Sequence, residues 1–256
     1  MPGTRFVIDS LPRSGSTSLA KMLACHEQIS CIVEPFHPSR YGGQYRGRVH
    51  DVTSLKQVLE LIWLRWNGIK HVWVAPETFP FETLPSLNDE LVLYAPAVIS
   101  LQRRNLLQRH VSSMISRKLQ FWIGTKNEFL ARLEWGGLPE LDVESVHRAI
   151  ECDKHAVQQR RHLLSSRHDR VMFVDFEDII DNNGIGTENY ISQVNGILNF
   201  LSYSDLKPND YMKGEWKEAT DPSISKWNSQ DVYERIPGIR HIEAKLGSDE
   251  TGWLFR

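Results

Sequence analysis

Five short apolar runs punctuate this chain, at Arg5–Leu11, Ile29–Val33, Val72–Ala75, Ala97–Leu101 and Val171–Val174. Each is short enough to be a strand, and each is bounded by turn-forming or polar residues. Stretches of helical periodicity lie between and after them. A helix is expected from about Ser16, where Leu19, Met22 and Leu23 share a face. Another stripe holds Leu55, Val58, Leu59, Ile62, Trp63 and Trp66. Further helices are expected from Leu106, across Val146, Ala149, Ile150 and Val157 to about Ser165, and from Ile191 to Leu201. Strands that alternate with helices predict an α/β fold with a central, mainly parallel sheet flanked by helices, of the kind found in P-loop nucleotide-binding proteins. No repeat or linker divides the chain, so residues 1–256 are expected to form a single domain. In such sheets, ligands gather at the carboxyl ends of the strands.

Composition narrows the partners. With 41% hydrophobic residues the chain can build one sizeable core. A formal net charge of −2 gives no reason to expect a nucleic-acid partner. The three cysteines, Cys25, Cys31 and Cys152, form neither a disulfide framework nor a C-x-x-C metal site, so no metal is expected. The N-terminal residues lack a secretory pattern and no run is long enough for a membrane span, which predicts a cytoplasmic protein. Asp9 is unusual within an apolar run and calls for the strand's end or a polar partner.

Directly after the first run stands PRSGSTS, residues 12–18. Gly15 permits a tight turn and the close approach of a ligand. The amides at a helix N-terminus carry partial positive charge toward an anion. Ser14, Ser16, Thr17 and Ser18 add hydroxyl donors, and Arg13 adds a planar cationic fork. The same Ser and Thr residues could instead cap a helix. The P-loop pattern of kinases, G-x-x-x-x-G-K-[ST], has Ser10 in place of its first glycine here and Ser16 in place of its lysine. The segment therefore keeps a phosphate cradle and lacks the lysine that reaches β- and γ-phosphates.

A second candidate follows the fourth run. Arg104 stands at the strand's end, and Ser112 comes eight residues later, within the helix. Eight residues span about 12 Å of helix, and helical side chains lean toward the N-terminus, so Ser112 can face an anion gripped by Arg104. Arg109 and Arg117 read as solvated surface charges.

PRSGST after a first strand, together with R-N followed by a serine eight residues after the arginine, resembles the sulfotransferases that use 3′-phosphoadenosine 5′-phosphosulfate (PAPS). In that family the first motif binds the 5′-phosphosulfate and the second the 3′-phosphate. The resemblance implies a metal-free in-line transfer of a sulfuryl group to a hydroxyl or amine acceptor, such as a carbohydrate or small metabolite. RVMFVDFEDIIDN with ISQVNGILNFL is similar to a late strand, acidic turn and helix of the family. SISKWNSQDVYERI resembles its closing C-terminal segment, which makes Lys226 and Trp227 candidate cofactor contacts.

The acceptor's proton needs a base. Glu34, after the second run, is the first candidate, since relatives place a glutamate there. His37 and Glu77 are the alternatives. Many relatives also carry a lysine near the end of the third strand, where this sequence reads Val74-Ala75-Pro76. Lys21, Arg40 and Lys226 are the candidate substitutes. The loop PFHPSRYGGQYRGR is rich in aromatics and arginines and suits either an acceptor pocket or an ordinary solvated turn. The competing readings are a P-loop kinase or NTPase, which would need magnesium, and a non-catalytic nucleotide-binding protein on the same fold.

Overall fold

The computed structural model describes residues 3–74, 79–121, 128–132, 140–179, 188–220 and 230–255. Lys226, Trp227 and Glu77 lie outside these residues. The sheet has five strands: β1 (Phe6–Ser10), β2 (Cys31–Val33), β3 (Gly68–Val72), β4 (Val98–Gln102) and β5 (Val171–Asp175). They lie in the order β2-β3-β1-β4-β5, and every pairing is parallel. β1 is the middle strand, with β3 on one side and β4 on the other. The chain leaves β1 toward one edge and returns to fill the other, so the switch point of the sheet lies beside the end of β1.

Helices cover both faces. One face of β1, with Phe6 and Ile8, packs against α1 (Ser16–Ala24), α7 (Glu188–Phe200) and α8 (Gly214–Thr220). The other face, with Val7, packs against α2 (Val52–Trp63) and α3 (Leu87–Tyr94), and meets Leu164 of α5 (Val143–Arg167). A third cluster joins α4 (Leu106–Leu119) and the start of α5 to α9 (Gln230–Tyr233) and α10 (Ile239–Leu246). A short α6 (Phe176–Ile179) follows β5 directly. Among the described residues, no helix is long and apolar enough to cross a membrane.

The expected stripe of α2 is buried at Leu55, Val58, Leu59, Ile62 and Trp63, and Trp66 packs against the same cluster just beyond the helix. Asp51 and Ser54 close that helix with reciprocal hydrogen bonds. Asn105 and Asp142 cap α4 and α5 by accepting from the backbone amides of Gln108 and Ser145, both at 2.9 Å. α3 was not apparent from periodicity: eight residues give barely two turns of stripe.

β3 departs from expectation. It runs over Gly68–Val72, four residues earlier than the apolar run beginning at Val72 suggests, and Lys70 and His71 are buried inside it. Its register pairs Ile8 with Lys70 and Asp9 with His71. Side chains alternate along a strand, so Lys70 shares the face of α1, and His71 faces the other way, with Asp9.

Asp9 lies within β1, not at its end, and it has a polar partner. Arg160 of α5 donates to both of its carboxylate oxygens at 2.9 Å. The same guanidinium contacts Asp89, donates to the backbone carbonyl of Asn88 at 3.1 Å and covers the Trp73 ring. Burial pushes the nearby His71 down to about 4, so it stays neutral beside this pair. The network ties β1, α3 and α5 together just before the cradle. Asp9→Asn should cost about 3 kcal/mol in urea unfolding, because it removes half of a buried bidentate pair. Replacing both partners, as Asp9→Leu with Arg160→Met, should cost less than Asp9→Asn alone; a larger cost would mean the pair is a net stabiliser.

Candidate active site

The chain turns sharply between β1 and α1. Arg13 (φ 64) and Gly15 (φ 83) both adopt left-handed conformations. At Gly15 even an added Cβ would meet the Phe176 ring at 2.0 Å, so both the turn and the packing require glycine. At Arg13 the same geometry costs roughly 1–2 kcal/mol, which the surroundings must hold in place.

They do so through arginines from the β4–α4 segment. Arg109 Nη1 donates to the carbonyl of Pro12 at 3.0 Å, and Arg103 Nη1 donates to the carbonyl of Arg13 at 3.1 Å. In a trans peptide the N–H points opposite to the C=O. With those carbonyls drawn toward the arginines, the amides of Arg13 and Ser14 face the other way. Gly15 is the N-cap of α1, and no side chain caps this helix. The capping role open to the local Ser and Thr residues is therefore not the one adopted, and the first-turn amides keep their capacity for an anion. Arg109 is thus no surface charge. It is 3% exposed and is paired with Asp153, whereas Arg117 is exposed as expected.

Arg13 reaches α4, its Nε donating to Ser112 Oγ at 2.9 Å. Burial, and the neighbouring Arg103, push its guanidinium down to about 10, which leaves it charged at neutral pH. Ser112 therefore joins the cradle through Arg13. Arg104 is engaged elsewhere: its side chain is half-exposed and pairs with Asp178 at 2.7 Å and Asp175 at 3.5 Å. The Glu177 carboxylate accepts from the amides of Arg104 and Asn105, both at 3.0 Å, at the start of α4. Arg103 is the arginine turned inward, with its guanidinium over the Phe176 ring.

The third strand does carry a lysine, the buried Lys70. Its Nζ donates to Thr17 Oγ1 at 2.8 Å and to Glu34 Oε1 at 2.5 Å. Glu34 itself follows β2 with φ 50, another left-handed residue at a strand's end. Its Oε2 faces Arg40 Nε at 3.4 Å. β3 ends at Val72, before Val74-Ala75-Pro76, so its lysine stands ahead of the apolar run. Of the three substitutes proposed, Lys21 pairs with Glu218 of α8 at 2.8 Å, Arg40 reaches Glu34, and Lys226 lies outside the described residues.

Burial raises the Glu34 carboxyl's pKa, but Lys70 and then Arg40 and His37 outweigh it and hold it below the ordinary range. Burial also lowers Lys70, and Glu34 only partly restores it. The His37 pKa is lowered by burial against the pull of Glu34. His37 Nδ1 accepts from the Ser39 amide at 3.2 Å, and its ring meets Phe79 edge-on. Thr17, Glu34 and Lys70 thus form one connected polar patch, and Arg13 is near enough for its charge to lower Lys70 further.

No protein-family model matches the chain, and no curated protein matches it by sequence. Among solved structures it is similar to mouse sulfotransferase SULT7A1 complexed with PAP, with a TM-score of 0.43 and 14% identity over 91% of this chain and 69% of that one. A likeness at that level bears on neither substrate nor chemistry.

The buried pair has a pH signature. The lowered Glu34 contributes stability above its unfolded value, and that contribution is lost as pH falls through the folded value. Glu34→Gln removes it and leaves Lys70 buried without its carboxylate. The variant should lose about 2–3 kcal/mol at pH 7. The gap to the wild type should narrow as pH falls through the folded value, where the wild-type carboxyl also becomes neutral. Urea midpoints followed from pH 7 downward check this; a gap that stays constant until the wild type itself unfolds would mean the pair is not ionised as described.

Proposed function

We propose that this chain is a PAPS-dependent sulfotransferase acting on a hydroxyl or amine of a small-molecule or carbohydrate acceptor. The observation that carries the reading is the buried Lys70, held between Thr17 of the cradle and Glu34. It brings a cation, a phosphate-type loop and a carboxylate to one point, without a lysine inside the loop itself. The cradle fits the nucleotide's 5′ end: a left-handed glycine at a helix N-terminus without a side-chain cap, amides turned away from Arg103 and Arg109, and Arg13 beside them. Bound there, PAPS would supply a sulfuryl group attached to a phosphate that leaves readily.

The residues divide the remaining work. Arg13 and the amides at Ser14–Ser18 stabilise negative charge that grows on the leaving side. Lys70 Nζ lies between that cradle and the acceptor side and neutralises charge in transit. Glu34 Oε1 is committed to Lys70. Oε2, facing the looser Arg40, is the atom that accepts the acceptor's proton. Arg104 and Ser112 are assigned to a 3′-phosphate. On that assignment Arg104 exchanges Asp175 and Asp178 for the phosphate when the nucleotide binds.

Calorimetry without metal tests the nucleotide. 3′-Phosphoadenosine 5′-phosphate should bind at least tenfold more tightly than 5′-AMP or ATP, about 1.4 kcal/mol. Equal affinity for 5′-AMP would remove the 3′-phosphate assignment and the sulfotransferase reading with it. Tighter binding of ATP, present only with magnesium, would favour a kinase. Arg104→Ala should weaken 3′-phosphoadenosine 5′-phosphate by about 1.5–3 kcal/mol and leave 5′-AMP unchanged. Glu34→Gln, assayed where it remains folded, should keep nucleotide affinity and lose turnover.

A further inference from the structure

Glu34 stands between two cations with different surroundings. Its Oε1 accepts from Lys70, which is buried and also donates to Thr17 of the cradle. Its Oε2 faces Arg40, whose side chain is 31% exposed. One carboxylate does not neutralise both cations, and the closer Lys70 claims it. The nearest approach of Arg40 to Glu34 is through Nε at 3.4 Å. Among the described residues its guanidinium makes no hydrogen bond and meets no second carboxylate. The terminal N–H edge, which grips a carboxylate by two parallel bonds, is therefore unspent.

The chain around Arg40 holds it at this place. Three successive turns tie it to the end of β2: the amides of His37, Arg40 and Gly43 donate to the carbonyls of Glu34, His37 and Arg40 at 2.9 to 3.0 Å. The next residue, Tyr41, stands at φ 51, a strained conformation for a bulky side chain. From Pro35 to His50 the sequence has no aspartate or glutamate, while it carries Arg40, Arg46 and Arg48. Arg46 is spent on the carbonyl of Pro80 and on the Phe81 ring. Burial holds His37 below its ordinary value, and Arg40 and Lys70 add to this against the pull of Glu34, so His37 is neutral at pH 7. Arg40 is thus the permanent cation facing the base.

We propose, on the basis that the chain is a PAPS-dependent sulfotransferase, that Arg40 selects the acceptor and that the acceptor is a hydroxy acid, with its carboxylate a few bonds from the hydroxyl that is sulfated. The hydroxyl meets Glu34 Oε2, and the carboxylate meets the terminal nitrogens of Arg40. Docking of that carboxylate draws the charge of Arg40 off Glu34 and leaves Oε2 the better base. The hydroxyl proton passes to Oε2, and the hydroxyl oxygen bonds to sulfur. The bond from sulfur to the 5′-phosphate oxygen breaks, and its electron pair leaves with 3′-phosphoadenosine 5′-phosphate.

Two matched pairs are the probes: methyl β-D-glucuronide and mandelate, each beside its methyl ester. They are titrated by calorimetry into the full chain saturated with 3′-phosphoadenosine 5′-phosphate. At least one acid should bind about tenfold more tightly than its ester, the worth of a charge-assisted pair. Arg40→Gln should bring that acid to the level of the ester. Parity of acid and ester in both pairs overturns the proposal, as does an acid preference that survives Arg40→Gln. Weaker binding of PAPS itself in Arg40→Gln would give Arg40 to the sulfuryl donor and overturn it as well. Failure of the wild type to prefer 3′-phosphoadenosine 5′-phosphate over 5′-AMP is a separate result, and it removes the sulfotransferase reading beneath the proposal.

Discussion

All five strands run the same way, and that single direction is what brings the chemistry together. Parallel strands put every carboxyl end on one edge of the sheet. With β1 in the middle, the loops after β3 and β4 must flank the loop after β1. The cradle is therefore built by its neighbours as much as by its own residues. Arg103 and Arg109, arriving from β4 and α4, fasten its carbonyls, and Phe176, arriving after β5, leaves room only for a glycine at position 15. Two left-handed non-glycine residues, Arg13 and Glu34, stand at the ends of β1 and β2. Backbone strain of this kind persists only where the surroundings over-determine it, and it clusters at working sites.

Charge burial is handled differently on the two faces of the sheet. On one face, Asp9 and Arg160 meet in a bidentate pair that is almost wholly out of solvent, with Asp89 and the Asn88 carbonyl using the rest of the guanidinium. This network is structural: it locks the strand that leads into the cradle. On the other face, Lys70 and Glu34 meet closely, but Glu34 is also shared with Arg40. The sharing keeps the carboxylate ionised while one oxygen faces the more exposed partner. The two arrangements are adjacent in register, separated by one step along β3. A one-residue slip would send Lys70 to the Asp9 face and His71 to the cradle, so the site depends on register as well as on composition.

A third consequence concerns the arginines. Six basic side chains line a cavity at the carboxyl ends of β1, β4 and β5, under α5, and four of them are neutralised by close carboxylates. Desolvation lowers Arg103, and aromatic faces replace some of the lost hydration. Arg103 spends its two terminal nitrogens on the Arg13 carbonyl and on Gln108, so its charge serves the cradle. The loop Pro35–Arg48 contributes on the Lys70 side: Arg40 and His37 come to Glu34, while Arg46 holds the carbonyl of Pro80 and lies over Phe81.

The sequence by itself determined the strand–helix alternation, the phosphate-type turn at residues 12–18 and the main helices, because each is written in local periodicity and turn chemistry. β1, β2, β4 and β5 lie close to their apolar runs, and α2 buries the side chains its stripe predicts. Glu34 was legible for the same reason, as the polar residue ending an apolar run. What only the tertiary structure decided is where charge goes. A lysine and a histidine inside a strand count against burial when read locally, so the local pattern points to the more apolar Val72–Ala75 instead. The carboxylate that makes Lys70 tolerable comes from a different strand, 36 residues earlier. Arg109 looked solvated because Asp153, its partner, is on another helix. Arg103 and Arg104 are neighbours of the same type in the chain, and only packing sends one to the cradle's carbonyls and the other to Asp178. Local pattern carries the elements; long-range desolvation and pairing of charge, which no single segment encodes, carry the site.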